Sequence, residues 1–190
     1  MSIQYALLTS LLEKPAAGYA LAHRFDRSIG YFWQATHQQI YRELGRMEKA
    51  GWLSVTVEGE PGTRRRKVYQ VLPAGRQALI EWVMAAFDEQ ESLESCRRTL
   101  LVKLRAEAVL GPLGVAALLT QLIARHEAQL AHYRQIEARD FSAARMPQGR
   151  RIQHAILRCG ISGEESWLVW ARDTLALLKR QGRGSAASLR

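Results

Sequence analysis

The period of the hydrophobic pattern changes twice within the first half of this chain, and that change limits the fold more than any other feature. Residues Ile3 to Glu13 place Tyr5, Leu8 and Leu12, with Leu7 and Leu11 beside them, at spacings of three and four, which predicts a helix burying a broad face. Pro15 ends it. A second helical pattern runs from about Gly18 to Ser28 on a narrower stripe of Tyr19, Leu21 and Phe25, and Gly30 closes it. A third begins near Thr36, a residue type suited to an N-cap, continues through Ala50 and stops at Gly51. The repeat then shortens to two. In WLSVTVE, Leu53, Val55 and Val57 alternate with Ser54 and Thr56, and KVYQV resumes the alternation with Tyr69 and Val71 on one face. Between these runs lies GEPGTRRR, a Gly/Pro-containing loop that predicts a hairpin. Helical period returns in PAGRQALIEWVMAAF, with Pro73 in the first turn, where its missing N–H does no harm.

The order helix, helix, helix, strand, strand, helix is that of a winged helix-turn-helix, with a linking helix after the two-stranded wing. Such a layout offers two surfaces to a duplex: the third helix for the major groove and the hairpin tip for the backbone or minor groove. The second half reads as wholly helical. One helix is expected over roughly Leu93 to Glu107, a second after Gly111 and Pro112 to Asp140, and a last one from RRIQHAIL onward. The last helix is expected to bend near Gly160 and Gly163 and to restart at Ser162, which has capping-box spacing to Glu165. The fold class is therefore mainly α. Its expected parts are a winged helix-turn-helix over 1–87, a helical dimerisation domain over 88–181 and a flexible polar tail over 182–190.

On the third helix, Ile40, Leu44 and Met47 share the core face, while Gln38, Arg42, Gly45, Arg46 and Lys49 fall opposite. That outer face lacks carboxylates, with Glu43 and Glu48 toward the flanks. Gln38 and Arg42, with Gln39 beside them, carry the amide and guanidinium groups that hydrogen-bond base edges, whereas Arg46 and Lys49 suit phosphate. At the wing, Arg64, Arg65, Arg66 and Lys67 stand side by side. Either cluster alone reads equally well as a solvated charged face; together they occupy the two positions this architecture presents to DNA.

The residues carrying these features resemble the PadR family of bacterial transcriptional regulators. The similarity rests on KPAAGYALAHRF, FWQATHQQIYREL, GRMEKAGWLSV and RRKVYQVLPAGRQAL, in which Gly18-Tyr19, Ile40-Tyr41, Glu48 with Gly51, and Tyr69, Val71, Gly75 and Arg76 match the family signature. The chain departs from many members in having Gln38-Gln39 before Tyr41 and Arg42 after it. CRRTLLVKLRAEAVLG and HAILRCGISGEESWLVWARDTLAL resemble the helical C-terminal domain of the larger, virulence-activator-like branch. The resemblance implies a homodimeric regulator of transcription, with Tyr41 contacting DNA and Arg64 to Lys67 contacting wing phosphates or the minor groove. Read from its own position, Tyr41 equally suits packing between helices.

In the C-terminal half, Trp167, Leu168, Ala171, Leu175 and Leu178 repeat at helical spacing with Trp170 and Leu177 beside them, and Leu119 and Leu122 do so upstream. More of the circumference is apolar than one small core uses. Burial against a second subunit explains it, placing Leu119, Leu122, Trp167, Trp170, Ala171, Leu175 and Leu178 at a dimer interface; core packing within one chain is the alternative. The family resemblance adds a small aromatic effector, for which a pocket near Trp167 or Trp170 is conceivable.

Charge fits a polyanionic partner: 27 Lys and Arg against 18 Asp and Glu give a formal +9. The excess is spread over both halves, so local clustering has to carry the inference. Catalysis, cofactors and metals are not expected. His23, His37, His126, His132 and His154 lack zinc-ligand spacing and read as surface or half-buried residues, there is no P-loop or G-x-G-x-x-G, and GISG is no nucleophile elbow. Cys96 and Cys159 are far apart in sequence, and the N-terminus lacks a signal-peptide pattern, so a cytoplasmic location without membrane contact is expected. A winged-helix module for an acidic protein partner is the rival to DNA binding.

Overall fold

The computed structural model describes residues 3–33, 35–58, 65–143 and 145–187, the stretch 181–187 as backbone alone. Two compact units form, Met1–Val115 and Ala116–Arg190. In the first, helices α1 (Ile3–Glu13), α2 (Gly18–Asp26) and α3 (His37–Lys49) precede strands β2 (Leu53–Glu58) and β3 (Arg66–Val71), then helices α4 (Pro73–Met84) and α5 (Leu93–Leu110). A two-residue strand β1 (Ala16–Ala17) precedes α2. The second unit holds α6 (Val115–Asp140, whose first residue ends the first unit) and α7 (Gln148–Ala187). Among the described residues no helix is long and apolar enough to cross a membrane.

Helix α1 is the centre of the first unit. Ala6, Leu7, Leu8 and Leu11 are buried, and α2, α3, α4, α5 and β3 all contact it. A helix apolar over so much of its circumference can satisfy itself only inside a core. Tyr5 extends the packing by stacking on Trp82 of α4 at 4.5 Å between ring centroids. The carbonyls left over at the C-terminal end of α1 are met by Arg24 of α2, whose guanidinium donates to Ser10 O at 2.8 Å and Lys14 O at 2.7 Å. Burial pushes the Arg24 pKa down, with Glu13 opposing that shift.

The sheet order is β1-β3-β2, all antiparallel. Leu53 pairs with Val71, Val55 with Tyr69 and Glu58 with Arg66, so the wing has the expected alternation, buried at its base and exposed toward its tip. Strand β1 pairs Ala16 with Tyr69. It is too short to show a period in the sequence. The close of the hairpin rests on Gly75: Leu72 N–H donates to Trp52 O at 2.9 Å, and a Cβ on Gly75 would lie 2.5 Å from that same oxygen.

Helix α5 packs on α1 and α4, and Arg105 forms a two-pronged ion pair with Glu13 at 2.5 and 2.6 Å. The first unit therefore takes in α5, which the sequence reading grouped with the residues after 87.

Helices α6 and α7 run antiparallel, with Glu137 beside His154, Tyr133 beside Gly160, and Glu127 beside Arg172. His126, expected at or near the surface, is instead fully buried, 2.5 Å from Glu164 and with its ring 3.7 Å from that of Trp167. The expected restart in the last helix is absent: α7 is one helix through Gly160, Ser162 and Gly163, and it continues to Ala187 past the start of the expected tail. Once nucleated, a helix propagates at the cost of ordering one residue per hydrogen bond, so weak formers inside it do not stop it. Gly160 serves close packing instead, since a Cβ there would meet the Tyr133 ring at 3.3 Å.

Three residues placed at a subunit interface by the sequence pattern are already covered. Leu119, Leu122 and Ala171 have no exposure within a single chain. Trp167, Leu175 and Leu178 are half-buried, and Trp170 is 37 % exposed. Periodicity marks an apolar face without saying what buries it, and here a single chain takes part of that face for itself.

Replacing Gly75 with alanine should lower stability by roughly 1–3 kcal/mol, because the new methyl meets backbone that cannot rotate away. Urea unfolding of the two proteins measures it; a loss under about 0.5 kcal/mol would show that the α4–β2 contact yields freely.

Candidate nucleic-acid interface

Helix α3 is started by a reciprocal cap. Thr36 Oγ1 accepts from Gln39 N–H at 3.2 Å, and Gln39 Oε1 accepts from Thr36 N–H at 2.9 Å. The cap fixes where the exposed face begins. Ile40, Leu44 and Met47 are buried as expected, while Gln38, Tyr41, Arg42, Arg46 and Lys49 are exposed. Gln39 is exposed too, but its amide oxygen is committed to the cap. That oxygen keeps a second lone pair, so the cap fixes where the Gln39 side chain rests without ending its capacity to bond a base edge. Gln38 has no such commitment among the described residues.

Glu43 was expected on the flank. It is buried, with Arg46 Nη1 at 3.1 Å and Arg42 Nε at 4.0 Å from its carboxylate. The two guanidiniums stay largely in solvent, so Glu43 acts from beneath to hold them at the surface. Tyr41 packs between helices, as its own position suited, and keeps an exposed side. Its ring lies against Gly18, where a Cβ would come within 2.6 Å of Cε1, yet the residue remains 45 % exposed.

The wing stands beside this helix. Lys67 Nζ lies 3.9 Å from Glu48 of α3, and Arg66 pairs across the hairpin with Glu58 at 3.2 Å. Arg65 is exposed and pairs with no carboxylate among the described residues. Arg64 lies outside the described residues. An open cleft of about 720 Å³ brings Tyr41 together with Arg65, Arg66 and Lys67 of the wing and with Tyr19 of α2. Tyr69 forms part of its wall; burial raises the Tyr69 pKa, with Glu48 and Tyr41 adding to the rise.

Tyr19 is the residue that the sequence reading misplaced. It was assigned to the apolar stripe of α2 with Leu21 and Phe25, but those two are fully buried and Tyr19 is 68 % exposed. The signal was available: at about 100° per residue, position 19 falls on the far side of a helix whose stripe is set by 21 and 25. Nothing in the sequence placed it beside the wing, because β1 carries the start of α2 to β3 through a pairing between distant segments.

A three-helix core, a paired wing and a cationic cleft between the wing and the third helix define a winged helix-turn-helix protein. Two family descriptions match the chain, the transcriptional regulator PadR-like family over residues 7–81 and the virulence activator alpha C-terminal region over 96–179. The probable transcriptional regulator Rv1176c of Mycobacterium tuberculosis is 39% identical over 191 residues, covering 95% of this chain and all of that protein. The chain belongs to the PadR-like family of transcriptional regulators. The negative transcriptional regulator PadR of Bacillus subtilis is 29% identical over 82 residues, 43% of this chain and 45% of that one. A crystal structure of Bacillus subtilis PadR with operator DNA aligns over 93% of this chain and 98% of that chain at 20% identity, with a TM-score of 0.45.

Proposed function

We propose that this PadR-like regulator binds double-stranded DNA as a homodimer at an inverted-repeat operator and acts there as a repressor. The observation that carries the DNA reading is the cleft that Tyr41, from the exposed face of α3, shares with the wing cations Arg65, Arg66 and Lys67. In this reading residues 1–87 make the DNA contacts. Gln38 and Arg42 read base edges from α3, Arg46 and Lys49 hold phosphates, and Tyr19 and Tyr41 border the backbone between helix and wing. Arg65, with no carboxylate partner among the described residues, supplies sequence-independent affinity, while Arg66 and Lys67 exchange Glu58 and Glu48 for phosphate. Repression is supported by the name of the Bacillus subtilis relative, a negative regulator. Cys96 and Cys159, which form no disulfide with each other, fit the reducing cytoplasm in which such a regulator works. The family resemblance adds a small aromatic effector.

The homodimer is supported by α7. Ile152, Ile156, Cys159, Gly163, Trp170 and Leu177 recur at steps of three, four and seven residues, which keeps them on one stripe about 38 Å long. All six are exposed, and the opposite side of the same helix buries Ile161, Leu168 and Ala171. Of the residues first assigned to a subunit contact, Trp170 lies on this stripe. Two-fold symmetry then sets the operator half-sites about 34 Å apart or a multiple of it.

In gel shifts at two salt concentrations, Arg65→Ala should weaken binding to operator and random duplex alike and reduce the salt slope by about 1. Loss confined to operator would assign Arg65 to base reading, and no retention of any duplex by the native protein at low salt would turn the reading toward an acidic protein partner. Arg42→Ala should relax selectivity at one or two base pairs, at a cost of about 1–3 kcal/mol on the best site; an unchanged profile in selection from random DNA would remove it from the reading set. Ile156→Glu with Leu177→Glu should convert the dimer to monomer in sedimentation while leaving helical circular dichroism unchanged, since both side chains are exposed in one chain. A dimer that survives the pair of changes would place the interface elsewhere.

A further inference from the structure

The cleft of about 720 Å³ beside the wing contains aromatic surface that a duplex does not use. Tyr19 is 68 % exposed there, and Tyr41 keeps one side open. The Tyr19 ring is steadied by His23, whose ring stands edge-on to it at 4.3 Å between centroids and 69° between planes. Ala17, Gly18 and Ala20 complete this part of the lining, so small side chains leave room for a flat body against the rings. The charged part of the lining is wholly cationic. Arg65, Arg66 and Lys67 supply it and no carboxylate does; Glu58 and Glu48, which pair with Arg66 and Lys67, lie outside the lining.

Two guanidiniums and an ammonium together select phosphate. Inorganic phosphate would meet the cations and leave the rings bare. A duplex does little better, since its bases are stacked on one another and its charge is spread along the axis, one per about 1.7 Å. A free nucleotide with linked phosphates satisfies both halves of the lining: it brings several negative charges to one place, and its base has an open face to lay on a tyrosine. A purine offers the larger face. The volume lies within the range that suits a ligand of this size.

We propose that this cleft binds a free purine nucleoside triphosphate, with the base stacked on the Tyr19 ring and the phosphates held by Arg65, Arg66 and Lys67. Nucleotide and duplex then compete for the same cations, so the nucleotide releases the regulator from DNA. That consequence rests on the DNA reading above, whereas the binding itself does not.

The full-length protein is titrated with ATP by calorimetry in magnesium-free buffer at fixed ionic strength. ATP is expected to bind at least about tenfold more tightly than adenosine, which lacks the phosphates, and than inorganic tripolyphosphate, which lacks the base. Tyr19→Leu should weaken ATP at least about fivefold and leave tripolyphosphate unchanged, while Tyr19→Phe, which keeps the ring, should bind ATP as the native protein does. Arg65→Ala should weaken ATP and tripolyphosphate alike. Both residues are exposed, so neither change disturbs the core. Equal affinity for ATP and tripolyphosphate would overturn the proposal, because charge alone would then explain the binding. So would undiminished ATP binding by Tyr19→Leu, UTP binding as tight as ATP, or a single-stranded oligonucleotide that binds more tightly than ATP. In gel shifts, saturating ATP should release random duplex. The calorimetry contains no DNA: failure to bind ATP leaves the DNA reading standing, and a protein that binds ATP but retains no duplex sinks the DNA reading alone.

Discussion

Burial of α1 is the constraint on which the rest of the first unit depends. Leu7, Leu8 and Leu11 are out of solvent because α2, α3, α4, α5 and β3 each cover a different part of the helix. Fully burying each such side chain contributes about 1.5–3 kcal/mol relative to leaving it exposed, so no covering element can leave without cost. Arg24 adds a polar counterpart, tying α2 to the carbonyl end of α1 where the backbone would otherwise be unsatisfied. With α2, α3 and β3 held on one central helix, the exposed side of α3 and the wing have fixed places relative to each other.

The cationic surface is built on pairs rather than on isolated charges. Glu43 lies under Arg42 and Arg46, Glu58 faces Arg66, and Glu48 stands near Lys67. The two pairs at the wing are exposed and add little stability in water. Their consequence is geometric: each carboxylate limits where a long side chain rests while leaving its outer nitrogens available. Like charges crowded at positions 65 to 67 are tolerated in the same way, since carboxylates offset two of the three and the third faces solvent.

In the second unit the same economy takes another form. Helix α7 is apolar on two opposite sides, one of them packed and the other bare. His126 and Glu164 join α6 to α7 inside the packed side, a buried polar contact that leaves no buried side-chain nitrogen or oxygen without a partner among the described residues. A single periodic pattern hid both facts, because a stripe at helical spacing looks alike whether its cover is the same chain or another.

By itself the sequence determined the order of elements, the Thr36 cap, the core face of α3, the pairing of the wing strands and Pro73 at the start of α4. Each of these is local: a period, a capping oxygen or a ring without an N–H acts on residues within a few positions of itself. The family was legible too, from short motifs such as Gly18-Tyr19 and Gly75-Arg76. What tertiary structure decided is everything that depends on distant segments meeting. It brought Tyr19 to the wing through the pairing of β1 with β3, closed Gln39 into the cap, buried Glu43, Lys103 and His126, kept α7 unbroken and covered Leu119, Leu122 and Ala171 within one chain. Burial is a property of the whole packed chain, and a local pattern states that a side chain prefers to leave water without stating which neighbour it leaves water for.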